Sequence, residues 1–340
     1  MRARVFVTFP LPREALARLR KVTRARIYRG PQPIPRRTLL AGVRNTDGLL
    51  CLLTERIDAD LLAHAPSLRV VANYAVGFNN VDLDAAAARD VVVTNTPDVL
   101  TETTADLAFA LMLAAARRVV EGDTLVRTGR WRGWKPDQLL GRDVHGATLG
   151  IVGLGRIGSA VARRARGFGM RVLYWNRRRL KRAPGGARYV TLDRLLADSD
   201  FVSLHAPLTG ETRHMIGARE LARMKATAVL VNTSRGPLVD EPALIRALTR
   251  GRIAAAGLDV FEHEPAVPAA LRRLPNVVLA PHVGSATTAT RTAMALLAVR
   301  NLTTALAGRV PPNRVRVPPN RVRVPRTKPG SSVRGRRARV

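Results

Sequence analysis

Short apolar runs alternate with segments of helical character along most of the chain, a pattern that predicts parallel strands covered on both faces. Runs near 4–8, 25–28, 48–52, 70–75 and 91–94 predict a first set of strands. Runs at 147–152, 170–175, 200–204, 228–232, 254–258 and 276–280 predict a second set of six. Helices are expected over Arg13 to Arg20, before Leu61-Leu62, and over roughly Ala289 to Ala307. Thr103 to Glu121 predicts one long helix, apolar nearly all round at its centre and therefore buried at a domain junction. The segment Gly129 to Gly141, with Trp131, Trp134 and Pro136, breaks both periodicities and predicts an irregular arm.

The second set opens on a distinctive turn. Ala147 to Val152 runs into Gly153-Leu-Gly155-Arg-Ile-Gly158 and then into helical Ser159-Ala-Val-Ala. The first glycine allows the tight turn, the second lets backbone approach a pyrophosphate, and the third lets helix pack on strand. The amides of Gly155, Arg156 and Ile157 are expected to meet the phosphates at the helix's positive end. Six strands behind such a turn predict a doubly wound dinucleotide-binding fold. The next strand ends at Trp175-Asn176, 18 residues after Gly158, and Arg177-Arg178-Arg179 follow. An acid usually stands there to accept from the ribose hydroxyls. Asn176 does not repel a phosphate, and guanidiniums can pair with one, so NADP(H) is the expected cofactor and NAD(H) the alternative.

Composition narrows the class. The 340 residues are 46% hydrophobic and 24% charged, enough for a large core and two domains. The longest uncharged apolar stretch, Leu107 to Ala116, spans 10 residues, against the roughly 20 a membrane helix needs. Cys51 is the only cysteine, so no internal disulfide forms and a cytoplasmic home is expected. Cys51 itself reads as a buried strand residue. The net charge of +32 points toward polyanions, but it is uneven. From Arg309 to Val340 there are eleven basic residues and no acid, and only five of the chain's cations are Lys. Pro-Pro-Asn-Arg-Val-Arg-Val occurs twice, at 311–317 and 318–324, which excludes a packed helix. Residues 313–340 are expected to be a disordered basic tail offering weak, non-specific adhesion to polyanions, with no specific nucleic-acid partner.

Three polar residues fall at or beyond strand ends, where open sheets bind ligands. They are Arg235 in Asn232-Thr-Ser-Arg235-Gly, Glu264 in Phe261-Glu-His-Glu264-Pro, and His282 in Ala280-Pro-His282-Val. Reduction of a 2-oxo acid needs a cation for the carboxylate and carbonyl, and a proton donor for the oxygen as hydride arrives. Arg235 supplies the first and His282 the second. Glu264 can fix the imidazole's tautomer and favour its protonated form. His145, His205, His214 and His263 show no such setting, and no Cys/His cluster suggests zinc.

The stretches Asn73 to Asp82, Val93 to Thr101, Gly150 to Gly158, Val229 to Pro237, Gly257 to Pro265 and Pro281 to Ala286 resemble the D-isomer-specific 2-hydroxyacid dehydrogenases, most closely the glyoxylate/hydroxypyruvate reductase branch. The resemblance covers about residues 1–312. It implies that Arg235, Glu264 and His282 are the catalytic trio and that the Val76-Gly77 loop binds the substrate carboxylate through backbone amides. It implies cofactor contacts from Thr104, Leu154 to Ile157, Asn176 to Arg178, Thr233, Ser234, Arg235, His282, Val283 and Gly284, with Asp259 beside the nicotinamide. It also implies an α/β architecture of two doubly wound parallel-sheet domains. A Rossmann-type nucleotide domain (99–286) is inserted into a flavodoxin-like substrate domain (1–98 plus 287–312). Family members are usually homodimers, so the resemblance implies a homodimer in which the arm around Trp131 and Trp134 crosses to the partner. Some glyoxylate reductases carry a further tryptophan in this arm where Gln138 stands here, which bears on substrate preference. The expected activity is NAD(P)H-dependent reduction of glyoxylate and hydroxypyruvate. The alternatives are oxidation of another small acid such as 3-phosphoglycerate and, as a non-enzyme, a nucleotide-sensing scaffold like the C-terminal-binding corepressors.

Overall fold

The computed structural model describes residues 2–316. A first sheet holds β1 (Ala3–Val7), β2 (Thr23–Ile27), β3 (Gly48–Cys51), β4 (Val70–Asn73) and β5 (Val92–Thr94). A second holds β6 (Thr148–Val152), β7 (Arg171–Trp175), β8 (Arg188–Tyr189), β9 (Phe201–Leu204), β10 (Val229–Asn232), β11 (Ala255–Leu258) and β12 (Val277–Leu279). The strand order is β2-β1-β3-β4-β5 in the first and β12-β11-β10-β9-β6-β7-β8 in the second. All pairings between these strands are parallel. These are the flavodoxin-like and Rossmann orders, and in the second sheet the order reverses between β6 and β9, beside the glycine-rich turn. The central strands β3, β4, β6, β9, β10 and β11 are buried throughout, which is why they read as unbroken apolar runs.

The second sheet has seven strands where six were expected. The addition, β8, is two residues at the sheet's edge, too short to leave a periodic signal. The expected helix over 103–121 is instead two. Thr101–Ala116 ends where Arg118 turns into the left-handed region at φ 52°, and Val119–Arg127 continues with no buried residue. Arg117-Arg118 cannot remain in an apolar junction, so the chain turns out to solvent there. Ala105, Ala108, Phe109, Leu111 and Met112 of the first helix pack with Leu149, Ile151, Phe201, Val229 and Val231 of the second sheet.

The last helix, Thr288–Leu306, returns to the first sheet. Its Met294, Ala295, Ala298, Val299 and Leu302 share a core with Val5, Val7, Leu50, Val70 and Ala72. Asn301 Nδ2 also donates to the Asn95 carbonyl at 2.9 Å. Residues 313–316, expected in a disordered tail, instead run antiparallel along the β5 edge. The Val315 amide donates to the Val93 carbonyl at 2.8 Å, Arg314 bridges Thr94, and Val315 packs beside Val91 and Val93. An unpaired strand edge with an adjacent apolar pocket explains the docking. The expected disorder of residues 317–340 lies outside the described residues.

Candidate active site

Gly153 ends β6 with φ 97°, a conformation that other residues rarely adopt, and its amide donates to the Trp175 carbonyl at 2.9 Å. A Cβ on Gly158 would collide with the Gly153 carbonyl, so helix and turn meet only through glycine. Gly155 begins the helix Arg156–Gly167, whose first amides have no side-chain cap, and a Cβ at Gly155 would point into open space. Thr233, one of the expected contacts, has a buried hydroxyl with no hydrogen-bond partner. An uncapped helix start, an open glycine and an orphaned hydroxyl at the switch point are what a dinucleotide needs. These residues fit one.

The turn after β7 is more committed than the sequence suggested. Asn176 Oδ1 accepts from the Leu154 amide at 2.6 Å, so its carbonyl braces the glycine-rich turn and only its Nδ2 donors remain for a ribose or phosphate. Arg177 pairs with Glu211 at 2.7 Å, both well exposed, while Arg178 makes no ion pair among the described residues. Arg156 pairs with Asp98 on the other side of the cleft. His205, at the end of β9, shares a 2.8 Å hydrogen bond with Ser203, and burial pushes it down to about 4.

Opposite lie Arg235, Glu264 and His282, brought together from the ends of β10, β11 and β12. His282 Nδ1 is 2.8 Å from Glu264 Oε2, while Glu264 Oε1 accepts from the Phe261 amide at 3.0 Å. Burial pushes the Glu264 carboxyl up. The His282 hydrogen bond and charge, the Phe261 amide and the Arg235 charge outweigh that, leaving it below its ordinary value. Burial lowers the Arg235 guanidinium, opposed by the Glu264 charge. Arg235 Nη1 donates to the Ser234 carbonyl at 2.6 Å, and its Nη2 lies directly against Gly77 in the loop after β4. Ser234 itself is tied down, its hydroxyl donating to the Ala206 carbonyl at 2.6 Å.

His282 has φ 55°, in the left-handed region, and three bonds to one residue hold it there. Its amide donates to the Asp259 carbonyl at 2.9 Å, and the Val283 and Gly284 amides donate to the Asp259 carboxylate at 2.7 and 2.8 Å. Asp259, expected beside the nicotinamide, thus has both oxygens occupied by the turn that presents His282. Burial raises its carboxyl, against the pull of these amides and of the His282 charge. Thr104 packs against Gly284. Among the described residues no three His, Cys, Asp or Glu side chains gather as a metal site, and no helix is long and apolar enough to cross a membrane.

A sequence profile for the D-isomer specific 2-hydroxyacid dehydrogenase NAD binding domain matches residues 109–284. The glyoxylate reductase of Thermococcus litoralis is 51% identical over 321 residues, covering 93% of this chain and 97% of that one. The chain belongs to this family. The glyoxylate reductase of Korarchaeum cryptofilum is 53% identical over 319 residues, covering 93% and 96%. Among solved structures, a 2-hydroxyacid dehydrogenase family relative, the NADPH-dependent glyoxylate/hydroxypyruvate reductase of Sinorhizobium meliloti in complex with NADP and malonate, superposes with TM-score 0.82. It is 37% identical and the match covers 93% of this chain and 97% of that one. A protein of Thermus thermophilus superposes with TM-score 0.87 at 49% identity, covering 92% and 99%. The protein is an NAD(P)-dependent 2-hydroxyacid dehydrogenase.

Further side chains shape this dehydrogenase's cleft. Asn73 Nδ2 donates to the Gly77 carbonyl at 2.8 Å, and Asn80 Nδ2 donates to the Leu52 and Glu55 carbonyls at 3.2 and 3.0 Å. Together they fix the turn that holds Val76 and Gly77. His214, without a visible partner in sequence, lies 2.6 Å from the buried Glu262, two residues before Glu264. The contacts of Asn80 with Leu52 and Glu55, and of His214 with Glu262, join distant segments, and local spacing carries no trace of them.

Proposed function

We propose that this dehydrogenase reduces glyoxylate, and hydroxypyruvate, to the 2-hydroxy acid, with NADPH used in preference to NADH. The observation that carries the reading is the convergence of a partly buried guanidinium, a carboxylate-paired imidazole and an uncapped glycine-rich helix start on one cleft. When bound, the reduced nicotinamide supplies hydride to the substrate's carbonyl carbon. Arg235 binds the carboxylate and polarises the carbonyl, with the backbone amides of Val76 and Gly77 taking the rest of the carboxylate. His282, held by Glu264 through Nδ1, delivers a proton from Nε2 to the carbonyl oxygen, and in reverse it is the general base. The amides of Leu154 to Ile157 meet the phosphates, while Thr104, Thr233, Ser234, Val283 and Gly284 line the cofactor's path. Asp259 acts by fixing the His282 turn.

The NADPH preference rests on Asn176, Arg177 and Arg178. With the Asn176 carbonyl bound to Leu154, only donors face the ribose, which suits a 2′-phosphate. Arg177 reaches that phosphate by leaving Glu211, an exposed pair of small worth. The name of the Sinorhizobium meliloti relative, NADPH-dependent, supports this choice. A cytoplasmic homodimer completes the reading. Trp131 and Trp134, 54% and 81% exposed on the arm, support a partner surface, and a single buried cysteine suits a reducing compartment.

Initial rates with glyoxylate, hydroxypyruvate, pyruvate, larger 2-oxo acids and, in reverse, 3-phosphoglycerate test the substrate, each with both cofactors. Replacing Arg177 and Arg178 together by Ser is expected to raise the KM for NADPH far more than that for NADH. A tenfold preference of the unaltered enzyme for NADH would overturn the cofactor choice.

A further inference from the structure

The amino edge of the first sheet holds a cavity of about 990 Å³, the size of a small-molecule pocket. Ala3 opens β1 and Thr23 opens β2 on its wall, while Asp47 and Arg69 stand one residue before β3 and β4. Arg235, Glu264 and His282 follow the carboxyl ends of strands in the other sheet, so this cavity is separate from the active-site cleft.

Its charge is one-sided. Arg2, Arg4, Arg24 and Arg69 line it against a single acid, Asp47. That acid is already engaged, accepting from the Arg4 amide at 2.6 Å with Arg4 Nε 3.7 Å away. Arg69 Nη2 donates to the Leu306 carbonyl at 3.1 Å, at the end of the helix Thr288–Leu306. The helix Arg13–Val22 also ends on the cavity, at Val22. Each helix end carries about half a negative charge, so Asp47 and the two ends offset about two of the four guanidiniums. Arg2 and Arg24 make no ion pair among the described residues.

The arrangement works against stability. Arg4 and Arg24 are register partners on the parallel strands β1 and β2, so two guanidiniums leave the sheet side by side. Like charges at neighbouring strand positions are destabilising. A surface serving solubility alone carries both signs interspersed. Cations gathered around a concavity instead focus a field that attracts an anion, and arginine forks match phosphate oxygens in pairs. Beside them Val22, 54% exposed, joins Leu306 and Ala307 in an apolar wall. Bare phosphate leaves such a wall wet, whereas an organic group attached to the phosphate covers it.

We infer that this cavity binds a small organic polyphosphate, of nucleoside polyphosphate chemistry, with its phosphates on the arginines and its organic group on Val22 and Leu306. In the test the full chain is first saturated with NADPH, which closes the cleft to competing ligands. It is then titrated calorimetrically with ATP and with inorganic tripolyphosphate, and each is expected to bind at one site per chain. Replacing Arg2 and Arg24 together by Ser should weaken both by about tenfold or more. Turnover of 2-oxo acids should stay within about twofold, because neither residue reaches the cleft. Replacing the exposed Arg37 and Arg44 together by Ser removes the same charge from another face, and should alter either affinity by no more than about twofold.

Asp47→Asn keeps an acceptor for the Arg4 amide and removes the acid, so ATP should bind severalfold more tightly. Its sign is opposite to that of the arginine variants, so a gain cannot come from damaged folding. Absence of saturable binding, or binding of tripolyphosphate without ATP, would overturn the inference. Equal weakening by the two arginine pairs would overturn it too, since adhesion to the chain's overall charge predicts that result. So would an Asp47→Asn chain that binds ATP no more tightly than the unaltered one.

Discussion

The two domains are built on the same plan, yet their facing edges carry different chemistry. The carboxyl edge of the second sheet presents Arg235, Glu264 and His282, with Asp259 beneath. Across the cleft, the turn after β4 presents backbone at Val76 and Gly77 and neutral amides at Asn73, Asn79 and Asn80. The difference has a physical logic. Charges that must act together keep their mutual distances when all sit in one rigid unit, whatever the cleft does. The other unit then supplies backbone and neutral amide contacts, which cost less to desolvate than charges do. The separation into a reacting face and a positioning face gives each substitution a distinct signature.

On the reacting face the largest effect is expected from His282→Ala. Loss of the proton donor should lower kcat for reduction by about 10²- to 10⁴-fold. NADPH binding, measured by fluorescence titration, should hardly change, because the phosphates meet the other end of the cleft. Arg235→Lys keeps one positive charge but loses the fork, so kcat/KM should fall on the order of 10- to 100-fold, with KM carrying part of the loss. An Arg235→Lys enzyme within twofold of the wild type in kcat/KM would break the assignment of the substrate's cation to this face.

Glu264→Gln is a finer probe. His282 Nδ1 is 2.8 Å from Glu264 Oε2, and the imidazole helps to hold that carboxyl below its ordinary value. Gln keeps a hydrogen bond to the ring but removes the charge, so the high-pH limb of the reduction profile should move to lower pH. In the oxidation direction the same change should extend activity toward lower pH. Profiles that overlay the wild type would sink the pairing of Glu264 with His282 as a device for controlling protonation.

The smallest effects lie away from the cleft's chemistry. His205 is held at about 4 by burial, below its unfolded value near 6.5. The unfolded chain therefore binds the extra proton first, and stability is lost as pH falls from about 6.5 to about 4, then levels off. His205→Gln should flatten that part of the melting-temperature profile. At the chain's end, truncation after Arg316 should leave turnover unchanged and weaken salt-sensitive adhesion to heparin. Truncation after Gly308 should also lower the melting temperature, because it strips the docked 313–316 segment from β5.

The amino-acid sequence by itself determined much of this protein. Unbroken apolar runs specified buried parallel strands, because a strand covered on both faces has no polar side to show. Gly153 and Gly158 specified the turn, because only glycine meets the dihedral at the first and the close contact at the second, while Gly155 leaves the approach to the helix start open. Arg235, Glu264 and His282 were legible because each lies in the loop just beyond a strand's carboxyl end, and those ends line one edge of a parallel sheet. Tertiary structure decided what depends on residues far apart in the chain. It broke the long helix at Arg118, where charge met the limit of the apolar junction, and laid Val315 on an open strand edge. It turned Asp259 inward to hold the His282 turn and committed the Asn176 carbonyl to Leu154. It set Asn79 against a guanidinium 156 residues away. A side chain's local pattern specifies which element it joins, but its hydrogen-bond partner is whatever polar group the folded chain brings within about 3 Å, and that is a property of the whole.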